Sequence, residues 1–171
     1  VIEKITQGSA VSAVMLNLSG SVTTDSKDLF APFATFNYGF VFSCSVVGDV
    51  KTSLDSSTFI YSNFGVINKC FSMANLETNG AGGLVSANGR YVSDSEIYIG
   101  NIYDSYYTGS ITISGVDNST AVGTLAKDTT YGVISNSYTM ADVFATTGTS
   151  KYEATHPVAS ITPKDNWKPT E

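Results

Sequence analysis

The chain carries few residues that could act as a nucleophile, a general base or a zinc ligand. His156 is its only histidine, so a Ser-His-Asp or Cys-His arrangement would have to use it, yet no flanking signature surrounds it. Cys44, Cys70 and one distant histidine do not make a zinc site, and no HExxH motif occurs. We therefore expect no catalytic residue, no bound metal and no cofactor.

Carboxylates are the remaining candidates for chemistry, through glycoside hydrolysis or calcium binding. Solenoid enzymes that cleave polysaccharides place two carboxylates on neighbouring windings of one face. In the repeat described below, two positions carry acids in some copies, and neither has carboxylates in adjacent copies. These positions are Ser43, Lys69, Asp104, Asn136 and Asp49, Asn75, Ser110, Asp142, here called the acidic columns. Four acidic loop residues could bind calcium through their oxygens, namely Asp94, Glu96, Asp117 and Asp128. Their spacing matches no known calcium loop, which favours ordinary solvated turns.

A twelve-residue pattern that occurs four times predicts the elements that position these side chains. It reads Gly, any residue, Val or Ile, any two, Cys or Ser, Ser or an aromatic, any two, Gly or Ala, any residue, then Val, Leu or Ile. Successive copies lie 26 to 35 residues apart and begin at Gly39, Gly65, Gly100 and Gly132. Such a period is typical of a stacked coil architecture.

Alternation inside each copy separates a core face from an outer face, because successive side chains of a strand point to opposite sides. The face that includes the sixth position is mostly small or aliphatic, which suits a slim solenoid interior. Its sixth positions are Cys44, Cys70, Ser105 and Ser137. We also expect the third positions to lie above one another in consecutive windings, namely Val41, Ile67, Ile102 and Ile134.

The outer face mixes acidic, amide and aromatic groups, and it contains the best candidate for a recognition surface. The seventh positions form an aromatic column of Phe71, Tyr106 and Tyr138. Stacked rings offer contact area and a polar handle to a sugar or a protein. Aligned rings also stabilise one another across strands, so structural support is the competing interpretation.

Looser apolar segments precede the copies and predict the preceding strands of the same coils. They start at Leu29, Ser57, Gly80 and Thr120. The first glycine of each copy is expected to turn the chain into the strand through a positive φ. Residues 11–22 fit the pattern without the leading glycine, with Leu16 in the Cys position, and are interpreted as an initial coil.

The segment GGLVSANG at residues 82–89, with INKCFSMANL and ISNSYTMADV, resembles the GLUG repeats of bacterial secreted and cell-surface proteins. The resemblance covers roughly residues 29–143. It implies a right-handed parallel β-helix segment within adhesins or large surface enzymes. In immunoglobulin A metalloproteases such a region is accessory to the catalytic part.

The predicted fold is therefore all-β, a right-handed parallel β-helix of about five coils, with an antiparallel β-sandwich as the alternative. One domain is expected over residues 1–171, comprising the initial coil at 11–22, the repeats at 29–143 and a C-terminal cap or linker at 144–171. A start at Val1 suggests a processed product or a piece of a longer chain.

Composition favours a folded extracellular or cell-surface protein. The chain has 14% charged residues, a net charge of −6 and a single arginine, so no basic patch for nucleic acid is expected. No apolar run is long enough to cross a bilayer. Equivalent positions on stacked coils give Cys44 and Cys70 parallel Cβ directions, which favours buried reduced thiols over the alternative of a disulfide.

These observations predict a non-catalytic extracellular module, a rigid scaffold that presents loops such as residues 86–98 and the aromatic column. The expected partner is a protein or glycan ligand on a host or neighbouring cell surface, or further domains of a longer chain. A self-assembling subunit of an extracellular filament, formed by end-to-end association of open coil ends, is the first alternative. A polysaccharide-acting β-helix enzyme is the second.

Overall fold

The computed structural model of the chain describes residues 2–24, 29–113 and 122–145. Within these ranges the regular structure is all β, and no helix is present. The strands are β1 (Ile2–Ile5), β2 (Ala10–Ser12), β3 (Met15–Thr24), β4 (Ala34–Asn37), β5 (Phe40–Phe42), β6 (Ser45–Thr52), β7 (Asp55–Ser57), β8 (Ile60–Asn63), β9 (Val66–Asn68), β10 (Phe71–Ser72), β11 (Asn75–Thr78), β12 (Gly80–Gly82), β13 (Val85–Asn88), β14 (Arg90–Ser93), β15 (Glu96–Tyr98), β16 (Gly100–Tyr103), β17 (Tyr106–Tyr107), β18 (Ser110–Ile113), β19 (Val122–Gly123), β20 (Ala126–Asp128), β21 (Gly132–Ser135), β22 (Tyr138–Thr139) and β23 (Asp142–Ala145).

The strands fall into five consecutive segments, repeats 1 to 5, which span 2–24, 29–52, 55–78, 80–113 and 122–145. Each repeat adds one strand to the first sheet, β1-β4-β8-β13-β20, and one to the second, β2-β5-β9-β16-β21. The third sheet has the order β22-β17-β10-β6-β11-β18-β23, and β3 also pairs with its long strand β6. The fourth sheet is β19-β12-β7. All these pairs are parallel, and the one antiparallel pair in the described ranges is the hairpin β14–β15.

The second sheet confirms the predicted alignment of the third positions. Val41 pairs in register with Ile67, Ile67 with Ile102, and Ile102 with Ile134. The first three side chains are fully buried, whereas Ile134 in repeat 5 is only partly buried, and among the described strands its strand β21 pairs only with β16. This register is compatible with a β-solenoid, and it differs from the antiparallel pairing of a β-sandwich.

The apolar segments upstream of the pattern form the first sheet, as expected. Ala34, Ile60, Val85 and Ala126 lie in register on successive strands and are fully buried. The residues just before them enter the same core, and Phe33 stacks on Phe59 at 4.6 Å between ring centroids. Branched and aromatic side chains therefore fill the interior of every inner repeat.

Two expectations about the start of the repeat are wrong. The register Met15↔Ser45 places Val14, not Leu16, opposite Cys44 in the initial coil. The first glycines of the copies do not have positive φ values. A Cβ on Gly65 would instead meet the carbonyl oxygen of Gly39, so these glycines are required by the close approach of neighbouring strands.

The left-handed corner lies four residues later, at the fifth position of the pattern. Five residues with φ between 48° and 55° occupy it, namely Ala13, Ser43, Lys69, Asp104 and Asn136. Their chemistry varies, and in repeats 2 to 5 each precedes a Cys or Ser whose side chain hydrogen-bonds at the corner, whereas Ala13 precedes Val14. Because L residues rarely adopt this region, the shared conformation marks a corner that the rest of the winding imposes.

The sixth positions form a corner ladder, defined as Cys44, Cys70, Ser105 and Ser137. Ser105 Oγ donates to the carbonyl of Tyr103 at 2.7 Å and accepts the N–H of Cys70 at 3.1 Å. Ser137 and the two thiols repeat the bond to the carbonyl two residues before them. The ladder thus supplies acceptors to the buried N–H groups of Cys44, Cys70 and Ser105, while the carbonyls that it contacts also accept a backbone N–H.

A second buried ladder, of asparagines, joins the first sheet to the second. The Nδ2 of Asn37 donates to Oδ1 of Asn63, and the Nδ2 of Asn63 donates to Oδ1 of Asn88, both at 2.8 Å. Asn37 Oδ1 also accepts the N–H of Gly39 at 3.0 Å. All three asparagines are fully buried, so they are paired with one another instead of water.

Candidate functional site

The predicted aromatic column is present on β10, β17 and β22. Parallel register places Phe71 beside Tyr106 and Tyr106 beside Tyr138. The first pair of rings is 4.8 Å apart and parallel within 1°, and the second is 5.3 Å apart at 19°. These distances fall in the range of favourable aromatic stacking. The column therefore has the geometry expected if its rings stabilise neighbouring repeats.

Exposure of the column is uneven. Tyr106 and Tyr138 are 9% and 8% exposed, whereas Phe71 is partly exposed. Burial raises the pKa of Tyr106 and Tyr138 above the ordinary tyrosine value, since the phenolate loses hydration. The accessible part of the column is thus centred on Phe71, and its role in recognition stays a prediction.

A second aromatic cluster surrounds the hairpin β14–β15, which is inserted between the first and second sheets of repeat 4. Tyr98 packs edge-on against Tyr38 at 5.4 Å and lies 5.5 Å from Phe64. On the other strand, Tyr91 stacks on Tyr131 at 5.8 Å. The hairpin is therefore attached to the body of the protein by aromatic contacts at both of its strands.

A groove of about 420 Å³ lies beside this hairpin. Rings from four repeats line it, namely Phe36, Tyr61, Phe64, Tyr91 and Tyr131. Arg90 and Asp128 are its charged residues, and both are exposed. The volume falls within the range of small-molecule sites, and mixed aromatic and polar lining is typical of them.

A partly buried polar cluster adjoins the groove through Tyr61. The Asp55 carboxylate forms an ion pair with Lys127 and accepts hydrogen bonds from Tyr61 Oη at 3.4 Å and Ser86 Oγ at 3.3 Å. Burial lowers the pKa of Lys127, and the neighbouring Asp128 partly offsets this effect. Burial also raises the pKa of Tyr61. These contacts connect three successive repeats, which is a structural role.

The acidic columns are hydrogen-bonded ladders on the surface. Asn75 Nδ2 donates to Asp49 Oδ1 at 2.8 Å, and Ser110 Oγ donates to Asn75 Oδ1 at 2.9 Å. In the other column Asn136 donates to Asp104. An acid in one repeat is thus paired with an amide in the next, which leaves each column without two adjacent carboxylates among the described side chains.

Each of the described carboxylates considered for calcium binding accepts a hydrogen bond from a residue nearby in the sequence. Asp94 accepts from Tyr91 Oη at 2.6 Å, Glu96 accepts from Tyr98, and Asp128 accepts the N–H of Thr130 at 2.9 Å. Asp117 lies outside the described residues. In the described ranges no group of three or more His, Cys, Asp or Glu side chains is arranged to hold a metal ion.

Cys44 and Cys70 are free and buried, as parallel Cβ directions predict. The Cys44 N–H approaches Cys70 Sγ at 3.5 Å, so the thiols take part in the corner ladder. Burial raises the pKa of Cys70, which keeps it a neutral thiol. His156 and nearly all of the predicted C-terminal cap at 144–171 lie outside the described residues.

Sequence reasoning missed the asparagine ladder, the Asp55 cluster and the groove. The ladder had a signal, because Asn37 and Asn63 each stand two residues before the first glycine of a copy. The aromatic residue just before three of those glycines hinted at the second cluster. No comparable spacing marked Asp55 and Lys127, which lie 72 residues apart.

No helix long and apolar enough to cross a membrane occurs in the part of the chain that the structure describes. Comparison with known proteins found no matching family model, no matching curated protein and no matching solved structure. The resemblance to GLUG repeats therefore gains no support from these comparisons and stays a prediction.

Proposed function

We propose that the chain is a right-handed parallel β-helix of five coils that serves as a non-catalytic, extracellular or cell-surface binding and spacer module. The resemblance to GLUG repeats is part of this proposal, as is membership of a longer adhesin-like chain. A protein or glycan on a host or neighbouring cell is the proposed partner.

The in-register third positions are the single observation that carries the proposal. Val41, Ile67 and Ile102 stack without a break. Each lies in a different repeat, and the strands of these repeats follow one another in a similar order. Parallel strands joined by crossover connections are right-handed in about 98% of cases, which supports the handedness. Five windings at roughly 4.8 Å each rise only about 24 Å, so the chain by itself is a short, stiff segment.

The absence of catalysis is supported by the way the described acids are used. Asp49 and Asp104 hydrogen-bond to amides of neighbouring repeats, and Asp55 is paired with Lys127. A retaining or inverting glycosidase needs two carboxylates at roughly 5 to 10 Å across a cleft. Low charge and abundant Ser, Thr and Asn favour an extracellular setting.

A self-assembling filament subunit is the second candidate, because the terminal repeats expose apolar side chains. Met15 of repeat 1 is 71% exposed and Met140 of repeat 5 is 72% exposed. Strands at the two ends of the first and second sheets each pair on one side only within the described ranges. Such edges can associate with another chain.

Light scattering after gel filtration, with negative-stain microscopy over a concentration series, separates these functions. The binding module is expected to remain a monomer of constant size. Fibres or a mass that increases with concentration would instead support the filament subunit. Methyl NOEs between Val41 and Ile67 and between Ile67 and Ile102 test the coil itself, and their absence would contradict the proposed fold.

A further inference from the structure

The groove beside the hairpin combines rings from repeats that are distant in sequence. Phe36 belongs to repeat 2, Tyr61 and Phe64 to repeat 3, Tyr91 to repeat 4 and Tyr131 to repeat 5. Stacking of the windings therefore brings aromatic rings from four repeats to one groove. A ligand made of successive units can contact several of these rings at once.

Contacts outside the groove hold the rings in place. The Tyr61 hydroxyl bonds to Asp55, the Tyr91 hydroxyl bonds to Asp94, and Phe64 packs against Tyr38 and Tyr98. Rings fixed in this way lose little conformational entropy when a ligand binds. The lining is thus preorganised, although Tyr91 and Tyr131 remain 43% and 39% exposed.

The polar groups of the groove indicate a neutral ligand with many hydroxyls. Arg90 supplies donors, Asp128 supplies acceptors, and their opposite charges give the groove no net charge. Arg90 has no ion pair or side-chain hydrogen bond among the described residues, so its guanidinium is available to a ligand. Together these two side chains can donate to the oxygens of hydroxyl groups and accept from their hydrogens.

We propose that this groove binds a neutral oligosaccharide. The rings of Tyr91 and Tyr131 pack against the C–H faces of sugar units, while Arg90 and Asp128 hydrogen-bond to hydroxyls. This inference rests on the binding role proposed above and assigns it to the groove instead of the column Phe71, Tyr106 and Tyr138. The hairpin β14–β15 contributes one side of the site.

Isothermal titration with neutral cello-, xylo-, manno-, malto- and chito-oligosaccharides tests the proposal on the full chain. At least one of them is expected to bind. Tyr91→Ala and Tyr131→Ala are expected to weaken binding about tenfold each, which corresponds to about 1.4 kcal/mol. Arg90→Gln and Asp128→Asn should weaken it as well. Phe40→Ala is the matched control, because Phe40 is also half exposed but lies on β5 outside the groove.

Thermal unfolding of each variant shows whether the fold is retained, a necessary check because Tyr91 and Tyr131 also stack on each other and attach one strand of the hairpin. If none of the sugars binds a monomeric, folded chain, the inference is wrong while the scaffold function stands. Binding that survives both tyrosine variants and is lost in Phe71→Ala would assign recognition to the column instead. Fibres that form with rising concentration would overturn the proposed function. The titration tests only the groove, so the two failures can be distinguished.

Discussion

At the scale of single residues, the sixth position of repeats 2 to 5 is Cys or Ser because both side chains can hydrogen-bond at the left-handed corner. Ser105 Oγ bonds to the Tyr103 carbonyl and to the Cys70 N–H, and it is fully buried. An alanine here would leave the buried Cys70 N–H without its partner, whereas the Tyr103 carbonyl would still accept the N–H of Lys69 at 3.2 Å. The corner ladder therefore explains a residue choice that volume alone does not.

Ser105→Ala is expected to lower the free energy of unfolding by about 1 to 3 kcal/mol, the penalty for leaving the buried Cys70 N–H unpaired. Ser105→Cys should cost less, since thiols occupy the equivalent corner in repeats 2 and 3. Urea unfolding of both variants measures the difference. Equal losses would show that filling the space, not hydrogen bonding, determines this position.

The asparagine ladder makes a second prediction at this scale. Asn63→Leu removes the acceptor of Asn37 and the donor to Asn88, and we expect a loss of about 3 kcal/mol in unfolding free energy. Asn75→Leu is the matched control, because Asn75 also bridges two repeats but is exposed. Its loss should stay within about 1 kcal/mol. Similar unfolding midpoints for the two variants would contradict a special role of the buried ladder.

At the scale of strands and corners, the periodic pattern predicted those features that depend on the same type of side chain recurring at a fixed spacing. The strands, their core face and the alignment of Val41, Ile67 and Ile102 follow from the twelve-residue pattern. The left-handed corner was not predictable, because Ala13, Lys69 and the other residues there share a conformation but not a chemistry. The initial coil was misaligned by two residues for the same reason, since it lacks the leading glycine.

The candidate site was less predictable than the fold. The column at Phe71 was found because its rings recur at one position of the pattern. The groove depends on four repeats and on a hairpin that folds back onto them, and the sequence indicated that hairpin only as a contact loop at residues 86–98 and a longer spacing between the second and third copies. Antiparallel pairing within the insertion and its contact with Tyr38 arise from packing, which periodicity does not report.

The first glycine of each copy provides a prediction about how strands approach one another. A Cβ at Gly65 would overlap the Gly39 carbonyl, which also accepts the N–H of Val66 at 2.9 Å. Gly65→Ala must therefore shift a sheet hydrogen bond, and we expect a loss of about 3 kcal/mol.

Gly8→Ala is the comparison for that variant, because Gly8 has a φ of +80° and no atom within 4 Å of an added Cβ. It should cost about 1 to 2 kcal/mol through the left-handed conformation alone. Chemical denaturation ranks the two variants. If Gly8→Ala were the more damaging, backbone conformation and not close approach would limit the glycines.

At the scale of the whole molecule, buried tyrosines link stability to alkaline pH. Burial raises the pKa of Tyr61, Tyr106, Tyr107 and Tyr138, and the most strongly affected is Tyr107, which is fully buried. A raised pKa in the folded state gives stability that is present below the unfolded value of about 10 and is lost as the pH rises above it. Lys127 acts in the opposite direction, because its pKa is lowered, but it is one group against four.

We therefore expect cooperative unfolding above pH 10, measured by far-ultraviolet circular dichroism together with tyrosinate absorbance. Tyr107 should ionise only with the transition, because it is buried in the folded state. In Tyr107→Phe the loss of hydrogen bonds to the Ala74 and Ser110 carbonyls lowers stability by about 1 kcal/mol at neutral pH. Its stability should then fall less steeply above pH 10, by up to about 1.4 kcal/mol per pH unit. If the unfolding free energy of the unsubstituted protein and of Tyr107→Phe fell equally steeply with pH, Tyr107 would ionise in the folded state and the interior of repeat 4 would admit water.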